Sequence, residues 1–168
     1  MQGIMAGKQG KVFMTTGIKH GYSNIAACLL LTVLSISCSR DLSDDAIPVV
    51  PFSDIELRLT SPENIALRTD GGVRMLPSSM GGVQGIIVYR IDSHTFRAYE
   101  RNCSYHPNDA CVTVNVDPSN LFMIDPCCNS TFNFTEGEPI GGPAWRPLRR
   151  YETIVSGDYV TITDTIID

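Results

Sequence analysis

The sequence predicts an all-β fold, an antiparallel β-sandwich or barrel of short strands carrying two cysteine-bearing loops, behind an N-terminal signal helix. Three observations predict it. From Ile47 onward apolar residues recur at every second position: Ile55, Leu57 and Leu59 alternate with Asp54, Glu56 and Arg58; Val112, Val114 and Val116 with Thr113 and Asn115; Val160 and Ile162 with Tyr159, Thr161 and Thr163. A period of two places successive side chains on opposite faces of a strand, one face buried and the other wet. Turn chemistry separates the runs, at Asp70-Gly71-Gly72, Met80-Gly81-Gly82, Asp92-Ser93-His94 and Ser156-Gly157-Asp158, residues that adopt left-handed backbone cheaply or bond to their own main chain. This region also lacks any long amphipathic helical stretch and any internal repeat. Pro77 to Gly85 reads as a flexible loop within the domain, and His94 as a surface turn residue.

The β domain is expected over residues 47–168. Ahead of it, Ile25 to Ser37 (IAACLLLTVLSIS) forms an apolar run behind Lys8, Lys11, Lys19 and His20. That run is shorter than the ~20 residues a spanning helix needs, but suits the core of a signal peptide behind a positive leader. It ends in Ser35-Ile36-Ser37-Cys38, small residues leading into a cysteine. Here the chain resembles a bacterial lipoprotein signal, with Leu34 one place further from the cysteine than the usual leucine. The resemblance implies removal of residues 1–37 and lipidation of Cys38. It also implies attachment to the cell envelope, at the outer membrane, through that lipid. A start at Met14 gives a signal of more usual length. Residues 38–46 then form an acidic tether, whose SRDLSDD run (Ser39 to Asp45) is a solvated segment that also resembles the export signals of some surface lipoproteins.

Charge narrows the partners. All three lysines lie before Cys38 and all 18 acidic residues after it, against ten arginines. The expected mature chain is therefore acidic and free of lysine. Nucleic-acid binding needs clustered cations facing phosphates, so no nucleic-acid partner is expected. The remaining partners are the membrane, through Cys38, and an unidentified envelope protein.

Chemistry concentrates between Cys103 and Arg149. Two loops, Asn102 to Cys111 (NCSYHPNDAC) and Asp125 to Phe132 (DPCCNSTF), precede a Gly-Pro-rich return, Glu136 to Tyr151. With Cys28 and Cys38 set aside, Cys103, Cys111, Cys127 and Cys128 remain. An even number in an oxidising compartment favours two disulfides, with three possible pairings. A ring between the adjacent Cys127 and Cys128 is the least favourable of them.

The order of these pieces resembles a Rieske-type [2Fe-2S] domain. A strand pair, Gly85 to Cys103, runs into a first loop; a second loop, a Gly-Pro return and a final hairpin follow. The family's first loop reads Cys-x-His-x-x-Cys and its second Cys-x-Cys-His-Gly-Ser-x-Phe/Tyr, followed by Gly-Pro-Ala and a Pro-Leu pair. Ser130, Thr131 and Phe132, then Gly142-Pro143-Ala144 and Arg146-Pro147-Leu148, preserve the tail of that pattern. The likeness covers about residues 86–163. Matched on Ser130 and Phe132, the second ligand cysteine of the family falls on Asp125, its ligand histidine on Cys128 and its non-ligand cysteine on Cys127. In the first loop Cys103 matches a ligand, Tyr105 stands where the histidine belongs, and His106 follows one place late.

The resemblance therefore implies a ligand-degenerate member. A Rieske centre holds one iron on two thiolates and the other on two imidazoles, whereas Asp125 offers a hard oxygen. The implied bridges are Cys103–Cys128 and Cys111–Cys127, with no cofactor, in a disulfide-stapled binding or structural module. The alternative is an electron-transfer protein with a [2Fe-2S] cluster, or a zinc site, on Cys103, His106, Asp125 and Cys128. No catalytic residues are expected: the chain has no nucleophile elbow, no phosphate-cradling glycine loop and no paired-carboxylate site. Trp145 and Tyr151, beside Arg146, Arg149 and Arg150, suggest a cation–π patch for a ligand or partner.

Overall fold

The computed structural model describes residues 45–167; residues 1–44, and with them the expected signal segment and Cys38, lie outside the described residues. The described chain is nearly all β, with one short helix. Strands β1 (Ile55–Arg58), β2 (Val73–Leu76), β3 (Ile86–Arg90), β4 (Phe96–Glu100), β9 (Arg150–Ser156) and β10 (Tyr159–Ile166) form a six-stranded antiparallel sheet. Its order is β1-β10-β9-β4-β3-β2. Four very short strands, β5 (Asn115–Val116), β6 (Met123–Ile124), β7 (Thr131–Phe132) and β8 (Pro139–Gly141), make a second sheet in sequence order. The two cysteine-bearing loops are the links β4–β5 and β6–β7.

The period-two pattern buries what it predicts. Ile55, Leu57 and Leu59 are buried while Asp54, Glu56 and Arg58 are exposed, and Val160 and Ile162 are buried opposite them across the β1–β10 ladder. In β3 the alternation is masked, because Ile86, Ile87 and Val88 are all fully buried. Ile86 and Val88 join one apolar cluster with Leu57, Leu76, Phe96, Ala98 and Tyr151. Ile87 joins a second with Tyr99, Cys103, Met123, Phe132 and Phe134. The β3–β4 pair is thus covered on both faces, and the second cluster lies beneath the cysteine loops. An isolated hairpin has nothing to bury either face against; here each face has a core.

One expectation is corrected. The Val112–Val116 alternation does bury Val112 and Val114, but ladder pairing is confined to Asn115–Val116 and one isolated bridge, Asn102 to Thr113. The Arg101 guanidinium occupies the gap, donating from Nε to the Val114 carbonyl at 3.0 Å and from Nη2 to Asn115 Oδ1 at 2.6 Å. A short 3₁₀ helix, Pro62–Arg68, is the one helix among the described residues, and no long amphipathic helix forms there. Pro62 presets the helical φ at its first position, and Asn64 Nδ2 donates to the Arg58 carbonyl at 2.9 Å.

The Pro77–Gly85 loop is a loop, as its composition indicates, but its last part is held down. Glu100 is fully buried at the end of β4. Its carboxylate accepts from Val83 N–H (2.8 Å), Gln84 N–H (3.0 Å), Asn102 N–H (2.9 Å) and the Tyr151 hydroxyl (2.7 Å). Gly82 sits against it with φ +73°, and a Cβ there would lie 2.7 Å from Glu100 Oε2. A buried charge costs several kcal/mol unless hydrogen bonds replace water, and this carboxylate has four.

Glu100→Ala is therefore expected to leave four donors without an acceptor and to lower stability by roughly 3 kcal/mol or more, read as a fall in urea midpoint. A midpoint within error of the parent would show that water takes over the four donors. A second outcome concerns alkaline pH. Burial pushes the Tyr99 and Tyr151 phenols above their ordinary value of 10.0, with the Glu100 charge adding to the shift at Tyr151. Below pH 10.0 the stability from these phenols is complete; above it the unfolded chain releases protons the folded one keeps, so stability falls with rising pH. Ultraviolet titration should find these two tyrosines ionising only as the fold is lost. Ionisation of both while the fold persists would contradict the assignment.

Candidate functional site

The first loop leaves β4 through Arg101 and Asn102. Asn102 Nδ2 donates to the Pro107 carbonyl at 2.9 Å, closing the turn around Cys103. Ser104 is tied to the Gly-Pro return twice: its hydroxyl donates to the Arg146 carbonyl at 2.7 Å, and Arg146 Nη2 donates to the Ser104 carbonyl at 2.8 Å. The first loop is thereby pinned to the segment before β9.

The second loop is a tight turn built on Asp125. Its Oδ1 accepts from Cys127 N–H at 2.8 Å, its carbonyl from Asn129 N–H at 2.8 Å, and its own N–H donates to the Ser130 carbonyl at 2.9 Å. Such bonding of an aspartate to the backbone two residues on defines the turn locally. Asn129 takes a left-handed φ of 59°, a conformation asparagine tolerates better than most residues. The return braces this loop from outside. Ala144 N–H donates to Ser130 Oγ at 3.0 Å. Gly142, at φ +81°, lies so close that a Cβ would stand 2.5 Å from Ser130 Cα. These contacts give the Ser130 and Gly142-Pro143-Ala144 landmarks a physical role.

Both loops point sulfur at one spot. Cys103 Sγ and Cys128 Sγ lie 3.9 Å apart, and Cys128 Sγ lies 3.3 Å from Asp125 Oδ2 and 3.0 Å from Ser130 Oγ. One donor atom each from Cys103, Asp125 and Cys128 falls within 4.8 Å of the others. Cys103 and Asp125 are fully buried, and Cys128 is half-buried. Burial pushes the Cys103 thiol well above its ordinary range; the Tyr105 N–H pulls the other way, and the Asp125 carboxylate adds to the rise. The group could hold a metal ion.

Of the expected site residues, Cys103, Asp125 and Cys128 converge, and Cys111 bonds to Cys127 with Cα atoms 5.7 Å apart. That bridge joins the two loops, and closing 16 residues of chain is worth about 3 kcal/mol by loop-closure entropy. Cys103 and Cys128 stand in the structure as free thiols. His106 does not join the converging group among the described residues. Its left-handed φ of 45° accompanies a turn in which its carbonyl accepts from Asp109 N–H, and its ring meets Tyr105 edge-on at 4.2 Å. A Rieske cluster asks for two imidazoles; this donor set has none, and its third member is a hard carboxylate. Among the described residues, these three donors do not by themselves supply that ligand set.

The aromatic–arginine patch is largely dissolved. Tyr151 is buried and bonded to Glu100, and Arg150 pairs with Glu136. Arg149 donates to the carbonyls of Ile47 and Pro48, and Arg146 to that of Asp45 at 2.9 Å. Only Arg146 over the exposed Trp145 ring, 5.2 Å from its centroid, keeps the expected cation–π character. Sequence reasoning missed Glu100 and Arg101; an acid between Tyr99 and the first loop gives no periodic sign that it turns inward.

No protein-family model matches the chain, and no curated protein matches it. Six solved chains overlap it, two of them as follows. One, from a complex of reduced oxygenase and oxidised ferredoxin in carbazole 1,9a-dioxygenase, is 19% identical and covers 60% of this chain and 87% of that one, with a TM-score of 0.44. The other, the ferredoxin of carbazole 1,9a-dioxygenase from Nocardioides aromaticivorans, is 16% identical and covers 66% and 97%, with a TM-score of 0.42. Both overlaps are low, so the fold stands on the sheet order and register described above.

In protein whose Cys103 and Cys128 are both reduced, a small alkylating reagent is expected to modify Cys128 well before Cys103, because the buried thiol is both shielded and held protonated. Equal rates, read by peptide mass at successive times, would mean that the first loop opens freely.

Proposed function

We propose that this chain is an envelope lipoprotein whose soluble part is a Rieske-like module without a cluster, anchored through Cys38 and serving as a disulfide-stapled binding or structural domain. The observation that carries this reading is the donor set: two thiols and a buried carboxylate, where a Rieske centre needs two thiolates and two imidazoles. The loop-to-loop bond between Cys111 and Cys127 supports it, because it joins the two fingertips covalently without a metal. The Cys103 and Cys128 sulfurs are near enough to join as well. Exchange with a disulfide donor passes two electrons to the donor and two protons to its thiols or to solvent, leaving a Cys103–Cys128 bond. Arg146 and the exposed Trp145 beside the first loop offer a surface for an envelope protein partner. The other reading, a [2Fe-2S] electron carrier with altered ligation, would need Asp125 as an iron ligand.

The test is iron and acid-labile sulfide in protein purified from iron-replete cells. A colourless sample with both far below one equivalent is expected, and non-reducing peptide maps of the oxidised, metal-free protein should join Cys103 to Cys128. A reddish-brown sample with stoichiometric iron and sulfide would overturn the reading. Cys38→Ala should move the protein from the membrane fraction to the soluble one, and an unchanged distribution would remove the anchor.

A further inference from the structure

We infer that Cys103, Asp125 and Cys128, when both sulfurs are reduced, form a mononuclear site for a divalent d¹⁰ cation of the Zn²⁺ type, with a fourth position open to water or a ligand. This rests on the cluster-free reading above. A tetrahedral zinc with Zn–S bonds of about 2.3 Å separates two ligand sulfurs by ~3.8 Å and a sulfur from a carboxylate oxygen by ~3.5 Å. The observed separations are 3.9 Å between Cys103 Sγ and Cys128 Sγ, and 3.3 Å between Cys128 Sγ and Asp125 Oδ2. Two thiols in simple contact would show the first distance as well. The fully buried carboxylate at the second distance is what turns the pair into a site.

The surroundings also orient the donors. Asp125 Oδ1 is occupied by Cys127 N–H, which leaves Oδ2 directed at the sulfurs. Ser130 Oγ accepts from Ala144 N–H and, at 3.0 Å, from the Cys128 thiol; once a cation displaces that thiol proton, the hydroxyl is placed to donate to the thiolate. Outer partners of this kind fix ligand orientation in metal sites. Two thiolates select borderline-soft cations over Mg²⁺ or Ca²⁺. Two thiolates and one carboxylate carry three negative charges, so a divalent cation leaves a single net negative charge. Three protein donors and one open position match the pattern of zinc sites that bind or activate a further ligand rather than purely structural ones. The cation displaces the thiol protons, and it and a Cys103–Cys128 bond exclude one another.

The test is titration of the full chain, carrying Cys28→Ser and Cys38→Ser and kept reduced, with Co²⁺ as a spectroscopic probe and Zn²⁺ as competitor. The expected result is one equivalent of Co²⁺, an intense near-ultraviolet sulfur-to-cobalt band, visible bands of tetrahedral strength, and loss of all of them on adding Zn²⁺. The same bands should survive Cys111→Ser/Cys127→Ser, which removes the neighbouring sulfurs. Asp125→Asn, which keeps shape and an oxygen acceptor, should weaken binding by more than the roughly 100-fold upper range that loss of an outer partner costs, and Cys128→Ser should abolish it. Absence of the sulfur band, bands that vanish with Cys111→Ser/Cys127→Ser, or undiminished binding by Asp125→Asn would overturn the site. Stoichiometric iron and sulfide in the parent protein would instead overturn the cluster-free reading, so the two failures are distinct.

Discussion

The structure depends on a carboxylate it has removed from water. Glu100 closes β4, and the segments that meet at its oxygens are the Pro77–Gly85 loop, the start of the first cysteine loop and β9. A hydrophobic contact could pack these segments but could not fix their register, because apolar burial has no direction. Four hydrogen bonds to one charged group do fix it, and at this depth they are stronger than in water. Cys103 follows Glu100 by three residues, so the position of the first sulfur is set by the same anchor.

The fold was largely legible because its signal is periodic. The alternation survives in β1 and in the part of β10 paired with it, where Val160 and Ile162 are buried between less buried neighbours, since one face there meets a core. Where both faces are covered, as in β3, alternation carries no information about which side a residue takes. Where a side chain substitutes for ladder bonds, as Arg101 does for the Val112–Val116 run, periodicity predicts burial but not pairing.

The site was legible in part, for a different reason. Cys103, Asp125 and Cys128 come together because the landmarks around them, Ser130 and Gly142 to Ala144, keep the contacts that set loop geometry. His106 entered the alternative donor set through the family pattern and its spacing from Cys103, and neither reveals a left-handed turn that gives its ring to Tyr105. The arginine patch is kept only at Arg146 and Trp145: adjacency in sequence gathered five residues, and the side chains of the other three turn to Glu100, Glu136 and the residue 45–48 backbone.

The hold of Arg146 and Arg149 on residues 45–48 uses main-chain carbonyls, at Asp45, Ile47 and Pro48, rather than side chains. Those bonds read the backbone of the segment and not its side chains. One of the two arginines, Arg146, grips Asp45 and Ser104 with the same nitrogen. Asp45 and the residue next to Cys103 thus share a single donor, and replacing Arg146 would release both at once.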